Sequence, residues 1–416
     1  MPYTQNIRSL LMEELKISIE CKPLSHLCHV GETVEFYITA NQTIPLKAEI
    51  TIDAETLLST QMITPPATLK ASLPHPGFLR CAVSAEGAGA ECGVGVDPDQ
   101  IRPLMEEPED FDEFWANAFK ERDAIPADFH MIPCEGTDEF EIYRLDCANV
   151  NGLRSYAMFA QPRDKSKKVP LYVMFGGGEA YISESSFRNE PAAIKERMDG
   201  ITCAVLFFQL PPYPPVVNAD DRQARHEEFL KEIGLRRYIF YGLDDPKKFY
   251  AYPSILGSLR LLDLVVELPG INKDAVVYSG ASHGGGFGLY YACFSKHIKA
   301  AFCGVPNFGD IAGFLAGRHI SDSNSPEFRD HVDTRKYFDT SFCARRITIP
   351  IFMSVGFFDG ACAPTAVYAI YNNLAGPKFM FNKINHGHGG GPREYAPMHR
   401  LWLSEQLKGL LEEKEI

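Results

Sequence analysis

Ser282 stands where a serine can become a nucleophile. The apolar run Ala275-Val276-Val277-Tyr278-Ser279 leads into Gly280-Ala281-Ser282-His283-Gly284, and small residues open a helical segment at Gly285. A serine at the tip of a sharp strand-to-helix turn needs neighbours without bulk, and this Gly-x-Ser-x-Gly order supplies them. The turn would hold the Ser282 hydroxyl at the carboxyl end of a strand, above the N-terminus of the following helix. A glycine-rich turn that merely contains a serine is the competing reading. The strand signal before it and the helix signal after it favour the nucleophile.

A serine hydroxyl needs a base, and the base needs a group to orient it. For a nucleophile on this kind of turn the chain order is Ser, then Asp or Glu, then His. The run Ile349–Val355 is followed by Gly356-Phe357-Phe358-Asp359-Gly360, which puts Asp359 just past a strand. The run Phe379–Ile384 is followed by Asn385-His386-Gly387-His388-Gly389-Gly390-Gly391, which puts two histidines past the next. The intervals are 77 residues from Ser282 to Asp359 and 29 from Asp359 to His388, room enough for a crossover in each. Taken singly, Asp-Gly is an ordinary turn and either histidine an ordinary loop residue. His386 and His388 also form a His-x-His pair that could hold a metal, but no third ligand clusters nearby in sequence, so no metal is expected there. An acyl-transfer site also needs N–H donors for the developing oxyanion. The run Pro170–Phe175 enters Gly176-Gly177-Gly178-Glu179-Ala180, whose bare backbone can approach a tetrahedral intermediate closely. The expected donors are the N–H groups of Gly178 and His283, with a plain flexible loop as the alternative for Gly178.

Positioning these groups requires parallel strands ending on one face. From about residue 137, apolar runs alternate with helical patterns. The expected strands are Glu139–Cys147, Arg154–Ala160, Pro170–Phe175, Cys203–Phe208, Ala275–Ser279, Ala300–Gly304, Ile349–Val355 and Phe379–Ile384. The expected helices are Ile255–Glu267, Gly285–Lys296, Ala363–Leu374 and Tyr395–Glu412. The later strands are continuous Val/Ile/Phe runs, as strands covered on both faces should be. Alternation of strand and helix implies right-handed parallel crossovers with function at the carboxyl ends. Before residue 100 the chain reads differently. Short β-rich runs such as Lys16–Cys21, Thr33–Ala40, Ala48–Ile52, Gly77–Val83 and Ala90–Val96, several alternating with period two, are punctuated by Gly, Pro and Asn. They predict a small antiparallel sandwich without a titratable constellation of its own. An acidic, proline-containing connector and an amphipathic helix over Phe111–Phe119 separate the two regions.

Composition narrows the partners. The chain has 416 residues, 45% hydrophobic and 23% charged, which fits a two-domain globular protein. A net charge of −13 without a basic cluster argues against nucleic acid or an anionic membrane as principal partner. No apolar run is long enough to span a bilayer. The start Met1-Pro2-Tyr3-Thr4-Gln5 lacks the basic-then-apolar order of a secretory signal, and eleven scattered cysteines without a Cys-x-x-Cys pair suit reduced thiols. A cytoplasmic location is therefore expected.

Several segments share one resemblance. They are Asp110-Phe111-Asp112-Glu113-Phe114-Trp115, Gly242 to Tyr250, Gly280-Ala281-Ser282-His283-Gly284-Gly285, Phe358-Asp359-Gly360-Ala361-Cys362-Ala363-Pro364, Tyr371 to Lys378, and Gly387-His388-Gly389-Gly390. Through them, residues 105 to 412 resemble the acetyl xylan esterase and cephalosporin C deacetylase family of α/β-hydrolases. The chain departs from that family's pattern at four places. His283 stands for the usual Gln, and Gly389 replaces the acid of Gly-His-Glu-Gly. Gln209-Leu210-Pro211-Pro212 occupies the place of an Arg-Gly-Gln motif, and Phe175-Gly176-Gly177-Gly178 that of Phe-His-Gly-Tyr.

The resemblance favours His388 over His386 as the base. It implies an α/β fold: an α/β-hydrolase domain with a mostly parallel sheet over residues 101–416, joined to the small all-β sandwich over 1–100. The implied activity is a serine carboxylic-ester hydrolase that deacetylates carbohydrates, with Ser282, His388 and Asp359 as triad and no cofactor. The implied partner is a small acetylated substrate such as an acetylated oligosaccharide, with self-association left open. A peptidase, amidase or non-sugar esterase of the same fold is the alternative enzyme, and a non-catalytic carbohydrate-binding protein the alternative class. Phe175, Tyr181, Tyr213, Phe308, Phe357 and Phe358 are expected to crowd the strand-end face, where aromatic rings could stack on sugars.

Overall fold

A computed structural model describes residues 14–53, 56–318 and 325–412. The opening Met1–Gln5 segment lies outside them. The first eight strands are β1 (Ile17–Lys22), β2 (Leu27–Cys28), β3 (Val34–Ala40), β4 (Leu46–Ile52), β5 (Thr56–Ile63), β6 (Ala67–Ala71), β7 (Gly77–Ala85) and β8 (Ala88–Val96). They form a three-stranded sheet, β1-β3-β6, and a five-stranded sheet, β2-β8-β7-β4-β5. Period-two alternation drives Val34, Phe36 and Ile38 of β3, and Leu46, Ala48 and Ile50 of β4, into a common core with Leu79, Cys81 and Val83. Burying each of the larger of these side chains contributes about 1.5–3 kcal/mol. β5 has no such stripe; it lies at the sheet's edge with most of its residues exposed. An edge strand has little apolar face to read, and this one was not foreseen in the sequence.

The larger sheet has nine strands. They are β9 (His130–Cys134), β10 (Phe140–Ala148), β11 (Arg154–Pro162), β12 (Val169–Phe175), β13 (Ala204–Gln209), β14 (Ile271–Ala281), β15 (Ala300–Gly304), β16 (Ile351–Gly356) and β17 (Lys378–Lys383). Their order is β17-β16-β15-β14-β12-β13-β11-β10-β9. The pairings from β13 through β17 are parallel. Those joining β9, β10, β11 and β13 are antiparallel, so the expected alternation of strand and crossover helix begins only after β11. The reason is the short link between β10 and β11, with Asn151 and Gly152 at φ 60° and 69°, which holds no crossover helix.

The sheet reverses its winding at β12, which has β13 on one side and β14 on the other. In open α/β sheets the crevice beyond such a switch point is where ligands bind. Phe175 at the end of β12 pairs with Gly280 near the end of β14, so the glycine loop and the serine turn emerge side by side. Two helices beneath them, Ala251–Val265 and His283–Phe294, are buried almost all round, as inner-layer helices must be. The helix Phe111–Ala124 lies farther out, burying one stripe: Phe111, Trp115, Ala118 and Arg122.

The sandwich packs against the end of β16. The Phe78 ring meets Phe357 edge-on at 5.1 Å and Tyr368 at 5.6 Å. Gly93 lies so flat on this wall that a Cβ there would sit 2.8 Å from the Phe357 Cβ. Buried Asp53 accepts a hydrogen bond from Thr365, and Asn372 donates to the Pro98 carbonyl at 2.8 Å. The small domain thus abuts the loop that carries Asp359. Among the described residues no helix is long and apolar enough to cross a membrane.

Candidate active site

Ser282 sits at φ 59°, ψ −119°, between the end of β14 and the first residue of the helix His283–Phe294. This conformation is sparsely populated for a residue with a Cβ and costs about 1–3 kcal/mol. The surroundings hold it. The Ser282 N–H donates to the Gly304 carbonyl at 2.8 Å, and its own carbonyl accepts from Gly286 at 3.1 Å. The glycines are required by contact. A Cβ on Gly284 would lie 2.3 Å from the Phe175 carbonyl oxygen, and one on Gly280 2.5 Å from the Tyr278 hydroxyl. That hydroxyl donates to the Gly284 carbonyl at 2.5 Å and ties the two sides of the turn together.

The structure brings Ser282, His388 and Asp359 into one hydrogen-bonded line. His388 Nε2 is 2.9 Å from Ser282 Oγ, and His388 Nδ1 is 2.8 Å from Asp359 Oδ2. Asp359 is shut off from solvent, and its other oxygen accepts the N–H groups of Ala361 at 2.8 Å and Cys362 at 2.9 Å. Three donors therefore fix this buried carboxyl group in one orientation toward the imidazole. His386 is not part of the line; its N–H turns back to the Lys383 carbonyl.

Two supporting networks had no signal in the sequence. Lys383, 1% exposed at the end of β17, donates to the carbonyls of Gly387, His388 and Gly390 at 3.3, 3.1 and 3.2 Å. Its ammonium draws the glycine-rich loop around itself and so sets where the imidazole stands. Burial holds its pKa below the ordinary lysine value, against the opposing field of Asp359. The second network fixes the other side of the crevice. Glu179, directly after Gly178, receives His226 Nε2 at 2.8 Å, Arg237 Nε at 3.3 Å and the Tyr238 N–H at 3.1 Å. Burial raises the Glu179 pKa, but the hydrogen bonds from His226 and Tyr238 outweigh it and hold the carboxyl below its ordinary range. His226 comes from the helix Asp221–Ile233, beyond the proline-rich loop, and its other ring nitrogen meets the Tyr213 hydroxyl at 3.1 Å. The partners lie too far apart in sequence for local pattern to announce them.

In the glycine loop, Gly177 comes closest to the nucleophile: a Cβ there would lie 3.6 Å from the Ser282 Cβ. Gly178 follows at φ 60°, with open space where a side chain would be. His283 has its ring buried against Phe287 and within 3.0 Å of the Tyr250 hydroxyl, so only its backbone belongs to the crevice. The aromatic expectation needs correction. Phe175, Tyr213 and Phe357 are core residues: Phe175 stacks on Phe287, Tyr213 lies tilted against Phe229, and Phe357 meets Phe78 edge-on. These three are buried by their neighbours, while Tyr181, Phe308 and Phe358 keep partial exposure.

A line of carboxylate, imidazole and hydroxyl beside a glycine loop can perform acyl transfer: the imidazole accepts the serine proton as the oxygen attacks a carbonyl. Comparison with known proteins points the same way. The profile of the acetyl xylan esterase family, AXE1, matches residues 99–396. The acetyl esterase Axe7A of Xylanibacter ruminicola is 26% identical over 354 residues, covering 81% of this chain and 76% of its own. Acetyl xylan esterase 1 from Thermoanaerobacterium sp. JW/SL YS485 is 20% identical with a TM-score of 0.61, covering 74% of this chain and 97% of its own. The acetyl xylan esterase from Paenibacillus sp. R4 gives 20% identity, a TM-score of 0.59, and coverages of 73% and 97%. Each of these two structures is matched almost from end to end, while about a quarter of the present chain lies outside the match.

Proposed function

This chain belongs to the acetyl xylan esterase family and is a carboxylic ester hydrolase, and we propose that it removes acetyl groups from carbohydrates with Ser282, His388 and Asp359 as its triad. The observation that carries the reading is the unbroken line from buried Asp359 through His388 to Ser282 Oγ, at 2.8 and 2.9 Å. Ser282 Oγ attacks the ester carbonyl as its proton passes to His388 Nε2. Asp359 accepts the Nδ1–H, keeping the ring in the tautomer whose Nε2 is free to act as base and stabilising the imidazolium. The N–H groups of Gly178 and His283 receive the oxyanion. A helix's first N–H groups point out of its N-terminal end, which here faces Ser282. The imidazolium returns the proton to the departing sugar oxygen, leaving acetyl-Ser282. Water, deprotonated by the same histidine, releases acetate and restores the hydroxyl.

The substrate reading rests on the family and on the partly exposed rings of Tyr181, Phe308 and Phe358, since aromatic rings can stack on sugars. The test is a panel of acetyl, butyryl and octanoyl esters of one alcohol, beside acetylated xylo-oligosaccharides and peptide substrates. The acetyl compounds should give the highest kcat/KM. Preference for octanoyl esters or for peptides would overturn the substrate, and fluorophosphonate labelling that survives Ser282→Ala would overturn the nucleophile.

A further inference from the structure

Among the described residues, one group of three metal-ligating side chains converges outside the active site: Cys21, His26 and Cys92, with donor atoms all within 4.8 Å of one another. Cys21 lies near the end of β1, His26 in the turn between β1 and β2, and Cys92 in β8. The turn is firmly set. The His26 N–H donates to the Pro23 carbonyl at 3.0 Å, the His26 carbonyl accepts from Gly95 at 2.9 Å, and His26 stands in the left-handed region at φ 56°. This aims the imidazole inward, where Nδ1 is 3.4 Å from Cys21 Sγ and 3.8 Å from Cys92 Sγ. The Gly93 carbonyl oxygen is 2.9 Å from the same nitrogen. Both cysteines are core residues, 2% and 0% exposed.

We propose that Cys21, His26 and Cys92 form a structural site for a zinc ion, with the Gly93 carbonyl beside the fourth position. The spacing carries the assignment. With Zn–S bonds of about 2.3 Å and Zn–N bonds of about 2.0–2.1 Å, a tetrahedral site separates sulfur from nitrogen by about 3.6 Å. The two sulfur–nitrogen distances, 3.4 and 3.8 Å, bracket that value. Soft thiolates and imidazole are the donors zinc favours over the hard oxygen-seeking cations. Charge agrees: two thiolates and one divalent cation make a neutral buried unit, whereas two buried thiolates alone would be strongly unfavourable. Binding would release the protons of both thiols and engage a neutral ring through Nδ1, its one remaining proton on Nε2. The site lies against the domain contact, because Gly93, next to Cys92, packs on Phe357 two residues before Asp359. Zinc here would pin the edge of the sandwich that abuts the acid loop and take no part in the ester chemistry.

The experiment uses the full chain, reduced, stripped by a chelator and desalted. Zinc is then titrated with elemental analysis, and cobalt(II) serves as a spectroscopic probe. The expected result is one equivalent of zinc, a higher Tm, and a cobalt spectrum combining thiolate charge transfer with tetrahedral d–d bands. Cys21→Ser, Cys92→Ala and the turn variant His26→Gln should each lose stoichiometric binding, while Cys134→Ser in the hydrolase domain keeps it. His26→Gln leaves the core thiols in place, so it decides the matter even if a core cysteine variant fails to fold. Absence of stoichiometric binding by the reduced wild type would overturn the site. Binding that survives in His26→Gln, or a Cys21–Cys92 disulfide that persists under reductant, would overturn it as well.

Discussion

Replacing Asp359 by Asn should harm catalysis at least as much as replacing it by Ala. In the folded protein Asp359 Oδ1 accepts two backbone N–H groups, from Ala361 at 2.8 Å and Cys362 at 2.9 Å, while Oδ2 faces His388 Nδ1 at 2.8 Å. An asparagine in this fully buried place has one oxygen and one NH2. The two backbone donors claim the oxygen, because turning the amide over would set its N–H groups against theirs and leave buried donors unpaired, at about 1–3 kcal/mol each. The NH2 must then point at His388 Nδ1, which becomes an acceptor. The ring's proton moves to Nε2, where it faces Ser282 Oγ and blocks the base. Loss of the correct tautomer costs about four orders of magnitude in kcat in the triad for which it has been worked out, equivalent to about 5.5 kcal/mol. Asp359→Ala imposes no tautomer and should retain more activity than Asp359→Asn. The assay is kcat and KM for p-nitrophenyl acetate on both variants, with Tm to show that each is folded. A folded Asp359→Asn enzyme within tenfold of wild type, or clearly more active than Asp359→Ala, would refute the role given to the two backbone donors.

Ser282→Ala should fold normally, lose reaction with fluorophosphonates and drop roughly a millionfold in kcat; near-normal turnover with contaminating esterase excluded would sink the nucleophile. Glu179→Gln should destabilise the protein in a pH-dependent way. Because the folded Glu179 carboxyl lies below its ordinary value of 4.5, the stability it supplies is complete above that value and lost as pH falls through the folded pKa. The difference in urea midpoint between wild type and Glu179→Gln should therefore shrink in acid, and a difference independent of pH would contradict the pairing with His226. Gly284→Ala places a Cβ 2.3 Å from the Phe175 carbonyl oxygen and should cost at least about 2 kcal/mol in unfolding free energy, or prevent soluble expression. Gly389→Ala meets nothing within 4 Å and should stay within about 0.5 kcal/mol of wild type, so thermal unfolding of the pair tests the elbow geometry directly.

The sequence by itself determined the features that depend on neighbours along the chain. Steric need at the elbow wrote Gly280 and Gly284 beside Ser282. Burial on both faces wrote the apolar runs of β12, β14, β15 and β16, and one-sided burial wrote the alternation in β3 and β4. Chain order and strand ends brought Asp359 and the His386–His388 pair into view, although local pattern left the choice between the histidines open. Tertiary structure decided what depends on distant partners. It set His388 rather than His386 against Ser282, because the ring's partners Asp359 and Ser282 lie 29 and 106 residues away in the chain. It turned β10 and β11 antiparallel and anchored the glycine loop through Glu179 and His226. It also placed Phe175, Tyr213 and Phe357 in the core, where an aromatic run reads the same as it would at a binding surface. Periodicity records which face of an element is buried; what that face is buried against is fixed only when elements far apart in the chain come together.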